Sequence, residues 1–499
     1  MKRQIIVVSL LILLSAWMLG GEINFSGIKN RVTEFTLDNG LTFIVLEDHS
    51  VPIANFITYA NVGSSDERIG IYGISHYLEH MAFKGTGEIG TADIKKERAI
   101  FAKMDRVFEE IKRERSGRKP DPEKLKELEA HLQSLSDEAR EYVVPNEFSK
   151  ILKRHGCVGM NAGTGADFTL YFYSLPSNKL ELWAAMESQR FIDPVFREFY
   201  RERQVIAEER RVRTENSPVG KMIEELCALA FKDHSYHVSV IGPMSNIQNI
   251  TRQDMKKYFR RNYSARNLVI GVAGDVYPQR VKKMAKKYFA GMSPGRKNHR
   301  LYTTEPPQAG EKRMTIFENS QPWLAMGYHI PSELHQDFIK FSVLDNILTR
   351  GRSSRMNKKL VIDEKSALAV ISMAGFPGSK YSCLYMVLAL PNSGHTTEEM
   401  ERAFLEEFDQ IRKEGITEEE LSSAKTRLKF QIIQGLNSRQ GVLRALLHSE
   451  VIHGSWERAF DQLTELEAVT AEDIQNLLKT YFDPSNRVIV KIEKKEVDK

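Results

Sequence analysis

The sequence predicts an α+β chain made of two copies of one α/β domain, the first carrying a helical-hairpin insertion. Three observations carry that prediction. Two distant stretches, "ITRQDMKKYFRRNYSARNLVI" at 250–270 and "VTAEDIQNLLKTYFDPSNRVI" at 469–489, align without a gap at an offset of 219. Thr251 then meets Thr470, Asp254 meets Asp473 and Asn267 meets Asn486, in the same helix-then-strand context. Upstream, "NSPVG" at 216 matches "NSRQG" at 437 at an offset of 221, and an ordered series of this kind is an internal repeat. The length of 499 residues is also more than one hydrophobic core serves.

The elements follow in chain order. Residues 1–24 open with Lys2 and Arg3, continue in an apolar run from Ile5 to Leu19 and reach Gly20-Gly21. That is the layout of a secretory signal, and the run is short for a bilayer span of about 20 residues. Export is expected, to a periplasm or to the outer face of a bacterial inner membrane if the segment stays as an anchor. The first copy, 28–290, begins with "RVTEFTLDNGLTFIVLED", two β-rich runs around Asn39-Gly40, read as a type I′ hairpin. "PIANFITYANVG" is a third strand. Residues 92–154 are charge-dense with apolar residues at helical spacing, broken once at "SGRKPDP", and read as two amphipathic helices in a hairpin. Strand character returns in "GMNAGTGADFTLYFYSLP". Asp193-Pro194 then reads as an N-cap and first turn opening a long helix through "PVFREFYRERQVIAEERRVRTE". The Pro/Gly/basic stretch 291–312 is the linker, and the second copy spans 313–495.

Composition narrows the function classes. Hydrophobic residues at 41% and charged residues at 27% describe an ordinary globular chain, and a net charge of +5 supplies no basic face for nucleic acid. Cys157, Cys227 and Cys383 are odd in number and far apart, so they form neither a disulfide framework nor a metal knuckle.

The chemistry concentrates in "GISHYLEHMAFKGT" (73–86), which holds His76, Glu79 and His80. On a helix, positions i and i+4 share a face, with i+3 beside them. Two imidazoles at that spacing can grip one Zn²⁺, while the intervening glutamate takes the proton of a zinc-bound water. The order His-x-x-Glu-His is the inverzincin pattern. Catalytic zinc takes a third protein ligand, and the residues leave it open among Glu198, Glu202, Glu208 and Glu209, of which Glu202 and Glu209 share a face. His234 and His237 are a second, poorly disposed pair.

"HYLEHMAFKGT", "NAGTGADFTLYF" and "ERQVIAEE", with "NVGSSDE" before them and "YSARNLVIGVAGD" after, resemble the pitrilysin and mitochondrial-processing-peptidase family of inverted zincins over nearly the whole mature chain. The resemblance implies two homologous α/β sandwich domains and a zinc endopeptidase with one Zn²⁺ per chain. It implies His76 and His80 as ligands, Glu79 as general base and Glu209, second of a Glu-x6-Glu pair, as third ligand. Glu202 becomes a carboxylate that orients the site. "GMNAGTGADF" resembles the family's edge strand, where an extended peptide adds a strand, so Met160, Asn161 and Ala162 are expected to line the cleft. The gap between the second histidine and the glutamate is longer than the family's by several dozen residues, which is the helical insertion, expected to leave the zinc geometry intact.

In the second copy, Ser342, Asp345 and Asn346 stand opposite His76, Glu79 and His80, while Ser423 and Phe430 stand opposite Glu202 and Glu209, so no second metal site is expected. Self-sufficient family members supply an Arg and a Tyr from this half; here Ile362, Asp363 and Val370 occupy the matching places. The expectation is a zinc subunit that pairs with a related metal-less partner, or with itself, around a peptide substrate. The alternative is a non-catalytic structural or assembly subunit of the same fold; a hydrolase of some other acyl substrate would share the chemistry alone.

Overall fold

A computed structural model describes residues 25–298 and 301–495. The expected signal segment, 1–24, lies outside the described residues, and among those residues no helix is long and apolar enough to cross a membrane. The strands are β1 (Val32–Thr36), β2 (Thr42–Glu47), β3 (Ile53–Ala60), β4 (Val158–Thr164), β5 (Thr169–Pro176), β6 (Leu268–Gly274), β7 (Lys312–Glu318), β8 (Trp323–Ile330), β9 (Ala367–Phe376), β10 (Cys383–Pro391) and β11 (Arg487–Lys494). The helices used below are α1 (Ile74–Met81), α2 (Ile94–Arg115), α3 (Pro122–Arg140), α4 (Leu180–Ile192), α5 (Phe199–Arg210), α6 (Pro218–Ala230), α7 (Arg252–Asn262), α8 (Glu418–Gly435), α9 (Arg439–His453) and α10 (Ala471–Tyr481).

The repeat predicted from the aligned stretches is present in three dimensions. One sheet runs β1-β2-β6-β3-β5-β4 and the other β7-β11-β8-β10-β9. Once β1 is set aside the two orders are the same, each with one parallel pair (β2 with β6, β7 with β11) and antiparallel pairing elsewhere. The aligned residues do the same work twice. Thr251 and Asp254 close a capping box on α7, as Thr470 and Asp473 do on α10. The Asn267 amide donates to the Asn262 carbonyl at 3.1 Å, and the Asn486 amide to the Tyr481 carbonyl at 2.7 Å. Ser217 and Ser438 cap α6 and α9 by accepting from the amides of Gly220 and Gly441.

Those last two helices are exchanged between the halves. Met222, Leu226 and Ala230 of α6 belong to the core of the second sheet, alongside Leu324, Met326 and Val490. Val442, Leu443, Leu446 and Leu447 of α9 instead cover a face of the first sheet, against Ile44, Leu46, Ile57 and Tyr59. Gly271 on β6 admits this helix, since a Cβ there would sit 2.6 Å from Leu443 Cδ1. The opposite face of the first sheet packs Phe43, Phe56 and Tyr173 against α4 and α7 through Trp183, Ala184 and Met255.

Two local expectations change. The β1–β2 connection is a three-residue loop: the Leu37 N–H donates to Leu41 O at 2.9 Å, with Gly40 in the left-handed region at φ 88°. The type I′ turn is overridden because the Asn39 amide is held by the carbonyls of Phe289 and Met292 at 2.9 and 3.3 Å. The helix expected from Asp193 begins at Phe199, after Glu198 at φ 54°. Asp193 instead ends α4, its carboxylate held by Arg98 and the Gly87 amide, and Val195 to Arg197 are buried in the core.

The insertion forms the predicted hairpin, α2 and α3, broken over 116–121, with Asp121 as N-cap and Pro122 in the first turn of α3. A further helix, Glu147–Arg154, follows. Ile100, Met104, Phe108 and Ile111 of α2 join the first core. Glu97 of the same helix forms an ion pair of 2.9 Å with Arg197, each almost wholly buried. Arg197 also donates to the carbonyls of Thr86 and Ile89, at 2.8 and 3.0 Å, in the loop after α1. Removing one partner of such a pair strands a buried charge, typically worth ~3–5 kcal/mol.

The eight-residue α1 is too short to hold itself in helical form and has no side-chain N-cap of its own. The buried Glu67 does that work from outside the helix, accepting from the Gly73 and Ser75 amides at 2.6 and 2.7 Å. Burial pushes its carboxyl up to about 8, against the opposing pull of those amides.

Two measurements check this account. Leu226→Ala and Leu443→Ala, each removing a side chain buried against the other half's sheet, are expected to cost ~2–5 kcal/mol in denaturant unfolding, with both halves lost in one transition. A separate early transition for one half would contradict the exchange. Glu67→Ala removes both acceptors from the Gly73 and Ser75 amides and is expected to lose ~1–3 kcal/mol, with faster amide exchange at Gly73 and Ser75 than elsewhere in the core.

Candidate metal centre

α1 carries His76, Glu79 and His80, and α5 carries Glu202 and Glu209; the two helices meet where Tyr77 stacks on Phe199 at 4.6 Å between centroids. The Tyr77 hydroxyl donates to the Phe199 carbonyl, which fixes one helix against the other. This contact brings the imidazoles and carboxylates to one place. His76 Nε2 lies 3.6 Å from Glu209 Oε1, and His80 Nε2 lies 3.5 Å from Glu209 Oε2. The two rings stand edge to face at 4.8 Å. Among the described residues, His76, His80 and Glu209 are the group of side chains able to hold a metal ion, their ligand atoms all within 4.8 Å of one another.

The supporting contacts assign states to these groups. His80 Nδ1 bonds Glu202 Oε1 at 2.9 Å, leaving Nε2 toward Glu209. Glu202 Oε2 receives Lys84 Nζ at 2.6 Å, and Lys84 also reaches Glu198 at 3.2 Å. Burial opposes its charge, yet the bonds from His80 and Lys84 bring the Glu202 carboxyl down to about 2. Burial likewise works against a charged His80, and the Glu202 bond together with the charges of Glu202, Glu79 and Glu209 outweighs it and raises the ring. His76 has no such carboxylate on Nδ1, which is buried without a partner; burial, then the neighbouring His80 and Arg213, push it down to about 3. It is therefore a neutral imidazole at pH 7, the state that ligates. Arg213, just past α5 in a π-helical turn, pairs with Glu209 Oε1 at 3.0 Å.

Glu79 is held separately. Thr164 Oγ1, at the end of β4, donates to Glu79 Oε2 at 2.7 Å, while burial raises the Glu79 carboxyl. Of the residues expected along a substrate, Met160 and Ala162 are half-buried against the first core and Asn161 is exposed, all on β4, an edge of the first sheet. The Ala162 N–H is taken by Asn161 Oδ1 at 2.9 Å. A cleft of about 900 Å³ opens immediately beyond them, lined by Gly163 and Thr164, by Leu170 and Phe172 of β5, and from the second half by Gln431 and Arg444.

The other candidates separate from the site. Glu208 turns to solvent and pairs with Arg211, and His234 and His237 belong to a loop where His237 Nδ1 bonds the His234 carbonyl. In the second copy, Asp345 is buried and accepts from the Ala374 amide, Asn346 is buried beside it, Val370 is buried on β9, and Ile362 and Asp363 end the turn before that strand. Sequence reasoning missed Thr164, Lys84 and Glu67. Lys84 carried a signal, standing four residues past His80 on a helical register; Thr164 and Glu67 carried none, since their partners are remote or backbone.

Both halves of the chain resemble known proteins. Residues 42–100, which contain His76, Glu79 and His80, match the family described as Insulinase (Peptidase family M16). Residues 249–428, which contain none of the site residues, match the Peptidase M16 inactive domain. The chain is 27% identical over 482 residues to the zinc protease PqqE of Helicobacter pylori, covering 95% of each. It is 23% identical over 467 residues to the mitochondrial-processing peptidase subunit beta of Saccharomyces cerevisiae, covering 88% of this chain and 86% of that one. A crystal structure of a protease from Helicobacter pylori superimposes with a TM-score of 0.76 at 25% identity, covering 93% of this chain and 99% of that chain. The two-sheet repeat and the His-x-x-Glu-His helix thus have the same source: the chain belongs to peptidase family M16, the insulinase- and pitrilysin-like family.

Proposed function

We propose that this chain is a zinc-dependent endopeptidase acting on peptides or unfolded polypeptide segments. The observation that carries the reading is the convergence of His76 and His80, on the helix that also carries Glu79, with the Glu209 carboxylate of α5, their ligand atoms within 4.8 Å of one another. Two imidazole nitrogens and one carboxylate fit the ligand set of catalytic zinc, which leaves a fourth position open. A zinc ion held there supplies a Lewis acid that polarises a scissile carbonyl and makes water nucleophilic near neutral pH.

The chain's own residues do the rest. Glu79 takes the proton of the attacking water and returns it to the leaving amine, a role that its raised carboxyl suits. Glu202 holds His80 in the tautomer that frees Nε2, and Lys84 keeps Glu202 ionised. An extended substrate pairs with the free edge of β4 along Met160, Asn161 and Ala162, displacing the Asn161 side chain from the Ala162 amide, and runs into the cleft beyond Gly163.

Because Ile362, Asp363 and Val370 supply no donor for the developing oxyanion, and a second copy of this chain would lack one in the same place, we infer a related metal-less subunit that supplies it. The basic-apolar layout of residues 1–24 supports export to a periplasm, or anchoring at its inner membrane.

The test is hydrolysis of a mixed peptide pool by the mature chain, with metal content measured on the same sample. Chelator-sensitive cleavage is expected, reduced ~10²–10⁴-fold in Glu79→Gln with zinc retained. Glu209→Gln is expected to lose the metal, and Glu202→Gln to weaken its binding ~10–100-fold. Stoichiometric zinc with cleavage appearing only when the partner is added supports the two-chain form; cleavage by the monomer overturns that part. No zinc and no cleavage hands the chain to the structural-subunit alternative.

A further inference from the structure

The tip of the β4–β5 hairpin, residues 164–168, is a junction between the proposed active site and the second half. Thr164 Oγ1 donates to Glu79 Oε2 at 2.7 Å. The next two carbonyls, of Gly165 and Ala166, accept from the amides of Ser64 and Ser65 at 3.2 and 2.8 Å. That segment leads directly to Glu67, which caps α1. There is no slack in it, since a Cβ on Gly63 would lie 2.4 Å from the Ala166 carbonyl oxygen.

The same tip is gripped from the far side. Ala166 is buried in the core of the second sheet, not the first. Asp167, 4% exposed, accepts from the Ser379 and Lys380 amides at 2.9 and 3.1 Å and from the Tyr236 hydroxyl at 2.6 Å. Ser379 lies in the β9–β10 loop of the second half, and that loop is itself fixed: the Glu333 N–H donates to the Ser379 carbonyl at 2.8 Å, and the Ser379 hydroxyl donates to the Glu333 carboxylate. Gly378 completes the clasp by having no side chain, because a Cβ there would meet Asp167 Oδ2 at 2.3 Å and Tyr236 Oη at 2.7 Å.

We propose that the metal-less half acts on the reaction in cis, through this clasp: the 378–380 loop holds Asp167, the held tip sets Thr164, and Thr164 sets the carboxylate of Glu79. Thr164, Asp167 and Gly378 are positioning residues in this scheme; their bonds and close approaches run to Glu79, Ser379, Lys380 and Tyr236. The proposal rests on the reading of Glu79 as general base and deepens it. A base bonded through one oxygen keeps the other directed at its proton, and a misplacement of about 1 Å at such a group can cost on the order of 10²-fold in rate.

Three variants in the full chain test it. Thr164→Val keeps the shape and removes the donor; kcat is expected to fall ~10–100-fold with KM within about twofold and zinc content unchanged, and Thr164→Ser to restore most of the loss. Gly378→Ala, remote from the metal, is expected to lower kcat in the same pattern. In metal-free protein it should also speed hydrogen exchange at the Ser64 and Ser65 amides, a readout independent of activity. Wild-type kcat in Thr164→Val, or failure of the Ser variant to recover where Val has lost activity, overturns the role of Thr164. Unchanged exchange at Ser64 and Ser65 in Gly378→Ala overturns the clasp. If the wild-type chain shows no metal-dependent cleavage, the peptidase reading falls and with it the kinetic role, while the exchange experiment still decides whether the clasp exists.

Discussion

The structure depends first on one buried carboxyl group. Glu67 holds the open amides of an eight-residue helix that could not persist alone, and that helix carries both imidazoles and the proposed base. An ionisable group buried this deeply costs several kcal/mol to place there unless its oxygens are satisfied, and both oxygens of Glu67 accept amides. The surrounding architecture exists to keep those bonds aligned. Gly63 lets the strand–helix connection press against the β4–β5 tip, Tyr77 fixes α1 to α5, and Arg197 ties down the loop that follows.

From that constraint the division of labour between the two copies becomes intelligible. They share strand order, capping boxes and the asparagine that closes a helix end, yet among the described residues only the first carries a group able to hold a metal ion. The second is bound to it by exchanged helices and by the Asp167 clasp, so the halves cannot part without exposing α6, α9 and the Ala166 tip. The second copy serves as core, as cleft wall and as the outer anchor of the hairpin on which Thr164 sits.

Much of this was legible in the sequence because it rests on periodicity. His76 and His80 at i, i+4 and Glu202 and Glu209 seven apart each lie on one helix face, and a helix obeys that rule whatever surrounds it. The repeat was readable for a related reason: caps such as Thr251 with Asp254 are local and recur wherever the same helix starts. Contacts between segments far apart in sequence were not legible. Thr164 meets Glu79 across 85 residues, and Asp167 meets Ser379 across 212. Where tertiary contacts competed with local signals they won: Asp193 looks like an N-cap but its carboxylate is taken by Arg98 and Gly87, and Asn39 is drawn to a helix end instead of a tight turn. The helix exchange left no trace in either copy, because α6 and α9 read alike whichever sheet they cover.

X-ray absorption at the zinc edge of the purified mature chain decides whether one metal ion sits between α1 and α5. One zinc per chain is expected, with two imidazole nitrogens at about 2.0–2.1 Å and carboxylate oxygen completing the protein ligands, the imidazole signal falling in His76→Ala and the oxygen shell altered in Glu209→Gln. Substoichiometric metal, or a spectrum unchanged by either substitution, would contradict it.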